Sequence, residues 1–392
     1  MSSPPVYIVT GSNSGVGLAL VHRLVRELPL RTKQKPVIVM ACRSRDRASA
    51  ARDEVIAQNP DAQVEIGIVD VSSPASVFTF CKWFLSHYNR LDGLFANAGI
   101  FPNTGIAYGV LPRALLRGIP YLMMSGGEDL VIQPVGRVTK DGLGEVFAAN
   151  VFGHFIMVQE FAHLLQANNG RVVWTSSSTG MADKFSWSDP QCIKGNAPYQ
   201  SSKYGEALLS VALNERLARS YGAPGVGTVR SICAMPGFVH SPMVSVFMPS
   251  WLWQVAIIFM VLARFISPVA NITPAHGCEA HVYSALAPIG DFTADDEELI
   301  SCTAFSPDSH RHLLTGAGGR GYVDRSRVHV ARPAGVSTGS GLVPAQDRVV
   351  LTKEAQNYFR YLVDLADDFR QKNGLTPIGD STIPQPANAI EL

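Results

Sequence analysis

Short apolar runs alternate with longer stretches of helical spacing along the first 240 residues. "PVYIVTG" (5–11), "PVIVMAC" (36–42), "AQVEIGIVDV" (62–71), "LDGLFANAG" (91–99), "GRVVWTSSS" (170–178) and "GVGTVRSICAMPG" (225–237) read as six strands. Between them, 16–28, 45–58, 74–89, 139–168 and 197–218 read as helices. Strands separated by helices of ten or more residues build βαβ units and a parallel sheet. These strands are apolar nearly throughout, as helices on both faces require. The expected fold is α/β, a doubly wound, Rossmann-like parallel sheet in a single domain over 1–330. A linker, a helix at 349–372 and a polar tail make up 331–392.

Four stretches break the alternation. Residues 102–138 and 178–197 are insertions longer than ordinary connections, placed after the fourth and fifth strands. Residues 290–348 are mixed, with a short strand expected near "GRGYVD" (319–324) and a Gly/Ser/Pro-rich linker at 333–346. Within 247–268, "WLWQVAIIFMVLARFI" (251–266) is apolar except for Gln254 and Arg264. As a helix it would span about 24 Å, short of the roughly 30 Å hydrocarbon core. Two Trp residues at one end and Arg264 near the other suit a helix lying in a membrane interface. A buried helix or a lid over an apolar pocket is the alternative.

Composition narrows the field. The chain has 392 residues, 46% of them hydrophobic, and a net charge of +1, which leaves no electrostatic case for nucleic-acid binding. Six cysteines form neither a CxxC pair nor a Cys/His cluster, so no metal is expected. They read as reduced thiols of a cytosol-facing protein. The N-terminus enters an apolar strand at once, without the basic and long apolar regions of a secretory signal.

The candidate chemistry gathers at strand ends. The first strand runs into Thr10-Gly11-Ser12-Asn13-Ser14-Gly15-Val16-Gly17 before a helix, a GxxxGxG turn that lets backbone amides approach a pyrophosphate. The second ends in Arg43, whose guanidinium suits the 2′-phosphate of NADP(H) better than the ribose hydroxyls of NAD(H). The third ends in Asp70-Val71, with a carboxylate for the adenine amino group. The fourth ends in Asn97-Ala98-Gly99, small enough for a cofactor to cross the sheet. Ligands of such folds bind beyond the carboxyl ends of the strands, on the side where Thr175 to Ser178 emerge. Tyr199 and Lys203, four residues apart, share one helix face beside that edge.

As a set, TGxxxGxG, NAG, a Ser after the fifth strand, YxxxK and "PG" after the sixth resemble the short-chain dehydrogenase/reductase family over about residues 5–245. The resemblance implies a catalytic tetrad of Asn150, Ser177 (Ser176 as fallback), Tyr199 and Lys203, with Asn150 holding a water that links Lys203 to solvent. It places Pro236, Gly237, Val239 and Ser241 near the nicotinamide. The insertions, "WTSSS", "PYQSSKYGEALLSVALN" and the apolar stretch after "PGFVHSPM" look like the 3-ketosteroid reductases of sterol biosynthesis, above all the fungal ones. That subgroup implies NADPH-dependent reduction of a 3-keto sterol during C-4 demethylation on the way to ergosterol. It also implies a site on the cytosolic face of the endoplasmic reticulum or on lipid droplets, among other sterol-processing enzymes. A reductase of another lipophilic carbonyl (a retinoid or polyketide), or a non-catalytic dinucleotide-binding scaffold, is the alternative.

Overall fold

The computed structural model describes residues 3–110, 131–177, 179–218, 229–237, 239, 273–287, 301–303 and 345–379. Seven strands form one parallel sheet: β1 (Val6–Thr10), β2 (Val37–Cys42), β3 (Gln63–Ile68), β4 (Gly93–Ala96), β7 (Arg171–Thr175), β8 (Arg230–Met235) and β9 (Ser301–Thr303). Their order is β3-β2-β1-β4-β7-β8-β9, so the chain winds outward from β1 in one direction and then from β4 in the other. All six expected strands are present. The seventh, β9, pairs parallel with β8 through Cys233–Ser301 to Met235–Thr303. The strand expected at 319–324 and the apolar segment 251–266 lie outside the described residues. A two-stranded antiparallel ribbon, β5 (Gly105–Ile106) with β6 (Val131–Ile132), occupies the first insertion.

Alternate residues of each strand serve opposite faces. Val6 and Ile8 of β1 join a cluster with Leu94, Phe155 and Leu208, while Tyr7 and Val9 join Leu20, Leu24, Ile38 and Ile232 on the other side. Helices α1 (Gly15–Thr32) and α2 (Arg45–Gln58) cover the second face. Helix α3 (Pro74–His87) covers the first, with Pro74 at its opening position.

The next helix is built in pieces. The expected start at 139 is displaced to Glu145, because Val138 bridges to Gly144 around a turn in which Gly142 adopts φ 79°. Helix α4 (Glu145–Phe147) passes through a π-helical turn, Ala148–Phe152, into α5 (Gly153–Ala167). Gly153 is fixed by contact: a Cβ there would lie 1.9 Å from the Val71 carbonyl oxygen.

Helix α6 (Pro198–Ala218) carries "YQSSK". Two short helices, α7 (Pro274–Gly277) and α8 (Glu279–Leu286), precede β9. The final helix, α9 (Ala345–Lys372), starts four residues before the expected 349 and belongs to the main core. Tyr358, Phe359, Leu362 and Ala366 are buried with Phe155 and Leu208. Gly205 admits Tyr358 to the surface of α6, since a Cβ would meet the phenol oxygen at 2.4 Å. Tyr204 donates to Glu354 at 2.9 Å, and Arg216 stacks 3.9 Å from the Phe359 ring centre while donating to Gln356.

Alanine in place of glycine ordinarily strengthens a helix by about 1 kcal/mol. At position 153 the sign should reverse. Gly153→Ala is expected to destabilise by about 3 kcal/mol through overpacking against Val71, measured by urea unfolding; a stabilised variant would show that the contact yields.

Candidate active site at the carboxyl edge

Because all seven strands run parallel, the strand ends named from sequence meet along one edge. The floor of that edge is a buried hydrogen-bonded layer. Thr10, fully buried, accepts from the amides of Asn97 (2.9 Å) and Ala98 (2.8 Å). Asn97 Nδ2 donates back to the Thr10 carbonyl at 2.8 Å. Gly11 has φ 64° and lies where a Cβ would meet Ala98 Cα at 2.9 Å; a Cβ on Gly17 would meet Asn97 Nδ2 at 2.5 Å. The glycines therefore let the turn settle onto the Asn97-Ala98 segment. Thr10, Ser12 and Gly17 are buried and shape the turn, while Gly11, Asn13, Ser14, Gly15 and Val16 keep part of their surface accessible. Ser14 caps α1 without a side-chain hydrogen bond to its first amides. That leaves the helix N-terminus as a donor set for an anion, and these residues fit a pyrophosphate.

Along the sheet, Arg43 is exposed at the end of β2. The Asp70 carboxylate accepts from the Ser72 amide (3.0 Å) and hydroxyl (2.6 Å), so one oxygen folds the turn after β3. Val71 offers its carbonyl to the Gly153 contact. Gly99 lies against Asn150, where a Cβ would meet Oδ1 at 3.0 Å. Beyond β8, Gly237 adopts φ 68°, and Pro236 and Val239 pack against Gly277 of α7. Ser241 lies outside the described residues.

Asn150, Tyr199 and Lys203 gather at the first turn of α6, and the loop that carries Ser177 packs on that helix through Gly180. Asn150 Oδ1 accepts from the Ile100 amide at 2.8 Å, and Nδ2 donates to the Ser202 hydroxyl at 3.0 Å. Ser202 donates to the Tyr199 carbonyl at 2.7 Å. Asn150 therefore braces the β4 exit against the helix. Its own carbonyl faces His154 Nδ1 at 3.2 Å. Ser177 is half-buried, with its hydroxyl 2.9 Å from that of Thr179. Ser176 is buried, with its amide bonded to Ala234 and its hydroxyl toward the Cys233 thiol, so Ser177 is the serine on the accessible side.

Tyr199 lies beside Phe101, ring centres 4.6 Å apart, and its amide donates to Gln133 of the first insertion at 2.9 Å. Lys203 Nζ is 5.4 Å from the Tyr199 ring centre. The buried ammonium donates to the Thr175 carbonyl at 2.8 Å and to Glu206 at 2.6 Å. Burial works against the charged amine, and Glu206, Tyr199 and Cys233 together more than offset it, so Lys203 holds its proton above the ordinary lysine range, while burial raises the Glu206 carboxyl to about 7 against the pull of the ammonium.

Five residues of this neighbourhood went unnamed in the sequence reading: Phe101, Gln133, His154, Glu206 and His281. Glu206 was visible only as an i+3 partner of Lys203 in "KYGE", and His154 only as an i+4 partner of Asn150. Both histidines are fully buried. His154 Nε2 lies 2.9 Å from the Thr10 hydroxyl, and His281 Nε2 lies 2.8 Å from that of Thr175. A carbonyl can only accept, so Nδ1 of His154 carries its proton toward Asn150. Burial, helped by the Lys203 ammonium, lowers His281 to about 3; burial lowers His154 to about 4. Among the described residues no cluster of metal-ligating side chains occurs.

The short chain dehydrogenase model matches residues 5–249. The chain belongs to the short-chain dehydrogenase family. It is an oxidoreductase that works with a nicotinamide dinucleotide. Human 3-keto-steroid reductase/17-beta-hydroxysteroid dehydrogenase 7 is 36% identical over 285 residues, 71% of this chain and 78% of that protein. The 3-keto-steroid reductase of Schizosaccharomyces pombe is 28% identical over 322 residues, 80% and 91% of the two chains. An NADPH-bound short chain oxidoreductase of Pseudomonas aeruginosa superposes with TM-score 0.50 at 18% identity, over 76% of this chain and 95% of its own. That superposition supports the short-chain dehydrogenase fold.

The two buried histidines set an acid limit. Their folded pKa values lie below the unfolded value of about 6.5, so the unfolded state binds the extra protons and their contribution is intact only above that pH. As pH falls from 6 to 5, stability should drop by about 1.2 kcal/mol per histidine. Urea unfolding across that interval should show a shallower slope in His281→Gln; an unchanged slope would remove His281 from the account.

Proposed function

We propose that this short-chain dehydrogenase reduces the 3-keto group of a sterol to the 3β-hydroxyl with NADPH, in the C-4 demethylation stage of ergosterol synthesis. The observation that carries the chemistry is the Lys203 ammonium 5.4 Å from the Tyr199 ring, at the carboxyl edge that also carries the glycine-rich turn. The names and identities of the human and fission-yeast relatives support the sterol ketone. The exposed Arg43 at the end of β2 supports the 2′-phosphate form of the cofactor.

Gly11, Asn13, Ser14, Gly15 and Val16 would hold the pyrophosphate, with Arg43 at the 2′-phosphate and Asn97-Ala98-Gly99 beneath. When bound, NADPH supplies the hydride that the ketone carbon receives, two electrons in all. The protein supplies the proton. Tyr199 gives its phenol hydrogen to the carbonyl oxygen as alkoxide charge develops there. A free phenol titrates near 10, and an adjacent cation favours the phenolate left behind. Lys203 is that cation. Ser177 donates a hydrogen bond to the same oxygen. Asn150 and Ser202 keep the first turn of α6 in register with the β4 exit.

A sterol ketone comes from lipid, and the two insertions suit that source. Tyr108, Ile132, Val135, Val138, Met181 and Trp187 are all exposed, and all lie within 102–138 or 178–197. The insertions are joined by a Gly136 amide donating to the Ile193 carbonyl at 2.8 Å. These exposed apolar side chains support contact with the cytosolic face of the endoplasmic reticulum, beside the enzymes that hand over the ketone and take the alcohol. Among the described residues no helix is long and apolar enough to cross a membrane.

With NADPH and a 4-methyl-3-keto sterol, the full-length protein should yield the 3β-alcohol by product analysis. Tyr199→Phe should lower kcat by about 10³-fold with NADPH binding unchanged, and Arg43→Glu should raise KM for NADPH at least about tenfold but not that for NADH. Preference for a retinoid or polyketide ketone in a substrate panel would overturn the sterol assignment. Deleting 247–268, the interfacial helix read from the sequence, should lower the fraction in the membrane pellet, with the insertions left as the remaining contact; an unchanged pellet fraction would place the anchor outside that segment.

A further inference from the structure

Behind Lys203 lies a carboxylate that the reaction does not use. Glu206 is 2% exposed, with Oε1 2.6 Å from Lys203 Nζ. Its Oε2 is buried and has no hydrogen-bond partner among the described residues. The neighbouring positions of α6 face an apolar core of Leu208, Leu209 and Tyr358. An apolar side chain would fill such a place without the cost of burying a charge. The carboxylate therefore answers to the ammonium and not to the core.

The ammonium is held from two directions. The Thr175 carbonyl is fixed by the sheet, and Glu206 is fixed by the helix that also carries Tyr199. A lysine this deeply buried would ordinarily shed its proton. We propose that Glu206 is a positioning residue for Lys203, pairing with its ammonium inside the fold so that the charge persists beside the Tyr199 ring. The proposal deepens the functional reading above and rests on Tyr199 and Lys203 being its acid and cation.

The groups facing the pair are Tyr199 on the same helix, Cys233 from β8, His154 from α5, His281 from α8 and Tyr358 from α9. Burial pushes the Cys233 thiol up to about 12 and the Tyr358 phenol well above its usual value. The histidines are neutral. In the alkaline range the charges of this pocket, among the described residues, are those of Glu206, Lys203 and ionised Tyr199. Removing the Glu206 charge eases the first proton loss from the Tyr199–Lys203 pair, whichever of the two releases it.

The test uses the full-length enzyme. Glu206→Gln keeps the side-chain length and an acceptor oxygen. Reductive kcat is followed from pH 6 to 10 at saturating NADPH and sterol ketone. The Lys203 Nζ signal is followed by ¹⁵N NMR, assigned with Lys203→Met. The alkaline limb of kcat should move about one unit to lower pH in Glu206→Gln, the Lys203 ammonium should titrate lower as well, and Glu206→Asp should restore part of both. An unmoved limb with an unmoved Lys203 titration overturns the proposal. If Glu206→Gln does not fold, the wild-type signal decides: a proton held above the ordinary lysine value of about 10.4 supports the pairing, and one lost below it overturns it. A Tyr199→Phe enzyme that still reduced the ketone would sink the functional reading alone, because the NMR titration reports on Glu206 without turnover.

Discussion

One buried cation organises the catalytic edge. The Lys203 ammonium is tied to the end of β7 through the Thr175 carbonyl and to α6 through Glu206, and it lies beside the ring of Tyr199. Each of these contacts requires another part of the fold. The sheet must deliver the Thr175 carbonyl at a fixed height, and the loop after β7 must press close. Gly180 allows that, because a Cβ there would meet the Lys203 backbone carbon at 2.8 Å. The charge also depends on a neutral surround, which the buried histidines provide at neutral pH.

The hydrophobic pattern carried most of the architecture. The six strands and the helices between them were legible because a strand covered on both faces is an unbroken apolar run, and such runs stand out between polar turns. The glycine-rich turn, Asn97-Ala98-Gly99, and the Tyr199/Lys203 pair were legible because each sits at a strand end or a helix start, where the local sequence is tightly constrained. Two glycines show how the constraint works: Gly11 and Gly17 lie where any side chain would strike the Asn97-Ala98 segment.

What escaped the sequence depends on partners far along the chain. β9 is three residues long, and only its pairing with β8 distinguishes it from a loop. Glu206 at i+3 from Lys203 looks like any solvated helix pair, and nothing local reveals that both are buried. Asn150 was named from the sequence as a candidate, but its bracing contacts depend on Ile100 and Ser202, 50 and 52 positions away. Val138 and Gly144 displaced the start of α4 for a similar reason: a bridge between two turn residues overrides the helical composition of the segment.

The packing of α9 against α6 has a consequence for synthesis and for truncation. The tetrad candidates are all translated before position 204, yet the outer side of α6 is sealed by Tyr358, Phe359 and Leu362, made more than a hundred residues later. A nascent chain holding those residues still presents an uncovered apolar face to solvent until 345–372 leave the ribosome. A message cut short before residue 345 would encode every tetrad candidate and lack the side chains that hold α6 in place.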